Sequence, residues 1–238
     1  MIFHILMASA QDLGEVAALA EPIREELSFS LFDMAVKGGW IMIPLLLLSL
    51  IAIYIFGEKW WTIRKASQID DNFMRNIKDY INDGKMQAAL NLCETTDSPV
   101  ARMIEKGVRR IGRPLPDIQA SVENVGNVEV ARLEKKLPIL ATIAGGAPMI
   151  GFLGTVLGMI KSFFNMASAG NNVDITLLSG GIYIALVTTV AGLVVGILAY
   201  FGYNYLTSSI NDLVYKMESN SIEFMDMLHE PAAPAKKA

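Results

Sequence analysis

Ionisable side chains are missing from two long stretches of this 238-residue chain. Positions 137–160 hold no Asp, Glu, His, Lys or Arg, and neither do positions 175–211. Charged residues make up only 18% of the whole, against 53% hydrophobic. A soluble domain is about 25% charged, so this composition argues for a membrane protein. Cysteine is almost absent too. The single Cys93 excludes an internal disulfide and any multi-cysteine metal site, and its place in a helical pattern predicts a buried, inert thiol. The two histidines, His4 and His229, sit near opposite ends and form no ligand pair. No metal or cofactor is therefore expected. The sequence has no GxxxxGK[ST] loop and no GxGxxG after a strand. The segment 62–136 has no His and no convincing nucleophile–base pair, so an enzyme is not expected. Net charge is −4, which gives no support for nucleic-acid binding. The first ten residues are apolar but lack a basic leader, which predicts an N-terminus that is not cleaved.

The uncharged runs are the centre of the chain. A helix needs about 20 apolar residues to span a membrane. The first run is long enough, and the second overshoots, so a hairpin of two spanning helices is predicted over 137–164 and 175–206. An outside loop, 165–174, joins them. A further span is predicted over 35–58, where WIMIPLLLLSLIAIYIF is flanked by Trp40 and by Trp60 and Trp61. Trp at both ends fits the interfacial belts of a membrane helix. Pro44 falls near its start, where the missing N–H matters least.

The remaining segments are polar. Residues 1–34 are predicted to lie outside. Within them 11–33 has the spacing of an amphipathic helix with an acidic polar face. Residues 59–136 read as a cytoplasmic helical domain. Asp83-Gly84 separates two of its helices, and Ser98-Pro99 reads as an N-cap followed by a first-turn proline. Pro114 and Pro116 mark a further turn. Asp117 is expected to cap the long helix that follows and runs through VARLEKKL directly into the membrane. Arg109, Arg110 and Arg113 read as a basic face. Residues 207–238 are a cytoplasmic helix and a Pro/Ala-rich disordered tail. Orientation follows from counting Lys and Arg: 57–136 holds 14 of the chain's 20, whereas 161–174 holds only Lys161. By the positive-inside rule the large segment and the C-terminus are cytoplasmic, and the N-terminus is outside.

Small and hydroxylated residues pattern the hairpin. Gly154 and Gly158 are four apart, as are Gly192 and Gly196, and Ala147 and Gly151. That interval lets helix backbones approach closely in lipid. Thr155, Thr188 and Thr189 lie in the same runs and are candidates for a hydroxyl stripe facing the interior of a bundle. Because the spans own no titratable group, these hydroxyls can orient water or hydrogen-bond a carboxyl, but they cannot relay a proton by ionising.

Two strings carry a resemblance: APMIGFLGTVLGMIKSF at 147–163 and GIYIALVTTVAGLVVGI at 181–197. Their patterns, GxLGTVxGM and ALxTTxxGL, and the three-span topology resemble the MotA/TolQ/ExbB proton-channel family, and the ExbB branch in particular. MotA-type stators have a fourth span that this chain does not supply. The resemblance implies an all-α membrane protein forming a homo-oligomer, a pentamer, around a central pore. It implies an ExbD-like single-span partner whose Asp carries protons past Thr155 and Thr189, with Thr188 adjacent. It also implies a TonB-like protein that receives the motion. A TolQ-like envelope motor and a passive membrane scaffold are the alternatives. Two positions depart from the family pattern: Ile184 stands where many ExbB-like sequences have Glu, and Leu198 where many have Pro.

Overall fold

The computed structural model describes residues 38–70, 72–168 and 175–229. The expected outer helix over 11–33, the uncleaved N-terminus, most of the 165–174 loop and the C-terminal tail lie outside them. All regular elements among the described residues are α-helices: α1 Met42–Ala66, α2 Phe73–Asn82, α3 Met86–Thr95, α4 Pro99–Val108, α5 Leu115–Glu134, α6 Leu137–Ser168 and α7 Ile175–His229. Helices α1, α6 and α7 are long and apolar enough to cross a membrane. Helix α6 continues to Ser168 rather than ending at 164, and α7 runs unbroken for 55 residues.

The chain divides into two compact units. Among the described residues, one comprises 47–148 with 194–229, and the other 149–193 with 38–46. In the first unit the short helices obey local rules. Gly84 takes φ +72° between α2 and α3, a conformation that L side chains resist. Ser98 sits in extended backbone, and its hydroxyl accepts the Ala101 N–H at 3.1 Å, with Pro99 next in line. Asp117 does not cap α5. Pro114 holds that position and Asp117 falls in the first turn, where its charge still suits the positive helix end.

Ile77, Ala89, Ile104, Val122 and Phe224 are fully buried and form the core here. The Phe224 ring lies against Gly107. A Cβ there would stand 2.8 Å from its Cζ and 3.0 Å from Val122 Cγ2. Cys93 is buried among these helices, and burial pushes its thiol up to about 12. The expected basic face is partly spent inside the unit. Arg109 pairs with Glu105 at 2.8 Å and Glu94 at 2.7 Å, and Arg110 hydrogen-bonds the Ser121 hydroxyl. Glu129, only 6% exposed, is held by Arg102 and Arg132, each at 2.8 Å, as a buried carboxylate requires.

The expected continuous helix into the membrane does not form. The backbone breaks at Lys135 and Lys136, where Lys136 takes φ +78°. Pro138 supplies the reason. Its ring would clash with the carbonyl four residues back, on Glu134, and it restricts the residue before it. The break leaves the last carbonyls of α5 without helical partners. Lys59, on α1, donates to two of them, Arg132 O at 3.0 Å and Leu133 O at 2.9 Å. Lys59 follows the apolar run of the first span, yet it is only 5% exposed. Lys136 turns back to Glu58 at 2.6 Å. One turn of α1 thus fastens both sides of the elbow.

Replacing Lys59 with Met should leave the two carbonyls unpaired, at a cost of about 1–3 kcal/mol. The expected outcome is a lower melting temperature in detergent and faster proteolysis at the elbow. Gly107→Val should overpack the Phe224 site and destabilise by about 1–3 kcal/mol, read by thermal unfolding, while Lys106→Ala on the neighbouring surface should be close to neutral.

Candidate functional site

The second unit is a seam between α6 and α7. On α6, Gly151, Gly154, Thr155, Gly158 and Ser162 recur at three and four residues and share one face. On α7, Gly181, Ala185, Thr188, Thr189 and Gly192 do the same. The two backbones meet at the glycines. A Cβ on Gly151 would lie 2.9 Å from the Thr188 carbonyl oxygen and 3.1 Å from the Gly192 Cα. At Gly154 it would lie 2.8 Å from the Thr188 Cβ, and at Gly158 2.8 Å from the Ala185 Cβ. Four of the six positions read as packing residues therefore stand in this seam. The other two belong to the first unit. There Ala147 is fully buried, and a Cβ on Gly196 would strike the Pro148 ring, 2.6 Å from its Cδ.

Pro148 was not singled out by the sequence reading, although a proline inside an apolar helix is a visible signal. It lacks the N–H that would bond the Ala144 carbonyl. That carbonyl faces Gly196, 3.0 Å from where a Cβ would be. The glycine gives both the ring and the orphaned carbonyl room.

The three threonines have different settings. The Thr155 and Thr189 hydroxyls hydrogen-bond each other across the seam. Thr155 Oγ1 also lies 3.3 Å from the carbonyls of Gly151 and Ala185, and Thr189 Oγ1 donates to Gly151 O at 3.1 Å. Both residues are half-buried. Thr188 is buried, donates to Ala185 O of its own helix at 2.7 Å, and packs its side chain on Gly154. It joins the seam but not the hydroxyl pair. Ser162 was missed. It is 2% exposed, donates to Gly158 O at 2.9 Å and lies against Gly181. Its signal was its place seven residues, two turns, after Thr155.

The chemistry of the pair follows from its partners. Each hydroxyl has one donor and two acceptor lone pairs. When the protons rest on backbone carbonyls, the oxygens can accept from a neutral carboxyl. When a hydroxyl rotates, it can donate to a carboxylate. Such a pair can hydrogen-bond either protonation state of a carboxyl group without ionising. Ile184 and Leu198, the two departures from the family pattern, are 38% and 68% exposed, so neither is packed away inside this chain. No cluster of three metal-ligating side chains occurs among the described residues.

Comparison with known proteins places the chain in a family. Residues 95–219 match the model of the MotA/TolQ/ExbB proton channel family, a span that includes the whole seam. The chain is 30% identical to ExbB-like protein 1 of Synechocystis over 75% of this chain and 71% of that one. It is 30% identical to an ExbB homolog of Methanothermobacter thermautotrophicus over 79% of this chain and 67% of that one. It is also 28% identical to the Tol-Pal system protein TolQ of Pseudomonas aeruginosa over 82% and 90%. With its three membrane-length helices and a family match across more than half its length, this chain belongs to the MotA/TolQ/ExbB proton channel family.

Proposed function

We propose that this chain is the multi-span subunit of a proton-driven motor in the bacterial inner membrane. Copies form a ring, a pentamer, around the single-span helices of an ExbD-like partner. The partner's Asp takes up and releases protons beside Thr155 and Thr189. The observation that carries this reading is the hydroxyl pair joining α6 to α7 in spans with no ionisable group. An acid in that environment must be functional and must be hydrogen-bonded, and this chain supplies the bonding partners but not the acid. The segment 59–136 faces the cytoplasm, as its excess of Lys and Arg supports. Each proton crossing 100 mV releases about 2.3 kcal/mol, enough to bias a ring between near-equivalent positions. The motion passes to a TonB-like protein and energises outer-membrane transport.

A TolQ-like role in envelope maintenance is the second reading, favoured by the extent of the Pseudomonas aeruginosa match. Co-purification separates the two, since each role requires a different single-span partner.

Thr155→Val and Thr189→Val keep the side-chain volume and remove the hydroxyl. A hydrogen bond to a charged group is worth about 1.5–3 kcal/mol, so proton-dependent uptake should fall on the order of 10- to 100-fold while the oligomer still assembles. Full uptake in both variants would sink the hydroxyl path. In liposomes under an applied voltage, the chain by itself should pass no protons, and flux should appear only with the Asp-bearing subunit. Flux from the isolated chain would refute the division of labour.

A further inference from the structure

A groove in the first unit has no role in the proton path. Its deep part is a cavity of about 460 Å³ between α1, α6 and α7, within the roughly 300–1,000 Å³ range of ligand pockets. Ala52, Ile53, Phe56, Leu140 and Leu198 line it, and apart from Ser49 and the Tyr205 hydroxyl it offers no polar side chain. The wall is built rather than accidental. Gly202 lets the Phe56 ring approach, since a Cβ there would stand 3.0 Å from it. Phe56 and Tyr205 then pack with ring centroids 6.3 Å apart.

Tyr205 also belongs to a second, more polar cavity of about 210 Å³, lined by Trp60, Ile63, Arg64, Ser67, Leu206 and Ser209. The two cavities therefore adjoin at one side chain. Arg64 lies over the Trp60 ring at 5.4 Å. Its cationic neighbours are otherwise engaged: Lys59 with the α5 carbonyls, Lys65 with Asp97 at 2.8 Å, and Lys136 with Glu58. Among the described residues Arg64 forms no ion pair, so its charge faces the polar cavity uncompensated. It sits in the last turn of α1, beside Trp60 and Trp61, where a membrane helix meets the headgroup layer.

We propose that this groove binds an anionic glycerophospholipid, with one acyl chain in the apolar cavity and the phosphate on Arg64. Charge complementarity selects this occupant. A dry cavity suits a hydrocarbon chain, and a basic pocket between spanning helices at the interface suits a lipid phosphate. The site depends on α1 spanning the membrane and not on the proton path.

Native mass spectrometry of the full-length oligomer tests it, with phosphatidylglycerol and phosphatidylcholine of identical acyl chains as probes. Phosphatidylglycerol should be retained preferentially. Arg64→Gln should lower its retention about tenfold, the worth of a charge-assisted bond, and lower that of phosphatidylcholine, whose phosphate is offset by its own choline, by less. Leu198→Trp, which fills the open side of the cavity at an exposed position, should displace both. Unchanged melting temperatures and oligomer mass verify that the variants fold. Equal retention of the two lipids, or insensitivity to Leu198→Trp, would overturn the proposal. Competition by free glycerol phosphate alone would transfer the site to a soluble anion and equally overturn it. So would a disulfide between protomers joining Ile53→Cys to Leu198→Cys, which would show a second copy in the groove.

Discussion

Backbone contact between α6 and α7 is the constraint on which the membrane part depends. In lipid no hydrophobic force drives helices together, because acyl chains are as apolar as leucine. What remains is dispersion at close range and the hydrogen bonds that closeness permits. At Gly151, Gly154 and Gly158 the approach is so tight that even a methyl group collides with the partner helix. The Thr155 and Thr189 hydroxyls can then reach each other and the carbonyls of the opposite helix. The same tightness leaves no room for an acidic side chain of this chain at the glycine positions. A carboxylate has no room at those glycines, and burying one unpaired would cost several kcal/mol. The glycines that hold the helices and the absence of charge between them are two sides of one arrangement.

The cytoplasmic helices are held by different physics. Their core is aliphatic and aromatic, water drives its burial, and buried charge is tolerated only in pairs such as Glu129 with Arg102 and Arg132. The elbow between α5 and α6 borrows from both regimes. A lysine rather than another helix satisfies its carbonyls, one of them buried and one partly so.

Local rules made much of this readable in advance. Ser98-Pro99 and Asp83-Gly84 each place their signal within a few residues, and helices begin and end there, while the uncharged runs mark where α6 and α7 start but not where they stop. The four-residue glycine spacing was legible for the same reason. Spacing alone could not separate Thr188 from Thr189. Adjacent residues point about 100° apart on a helix, and only the position of the opposite helix decides which hydroxyl is buried on Gly154 and which bridges to Thr155. The cap on α5 was further out of reach. Lys59 is more than seventy residues from the carbonyls it binds, and by local pattern it looked like another flanking charge. The break itself has a local sign in Pro138.

The elbow also sets how the chain tolerates changes in length. In an uninterrupted helix, adding one residue turns everything beyond it by about 100°. Because Lys136 leaves the helical region, the angular phase of α6 is reset there and is not inherited from α5. A residue gained or lost within α5 therefore rotates the cytoplasmic helix without turning Thr155 away from Thr189. Helix α7 has no such joint. A single insertion after Thr189 would swing every residue downstream, whereas the turning caused by one within α5 stops at the elbow.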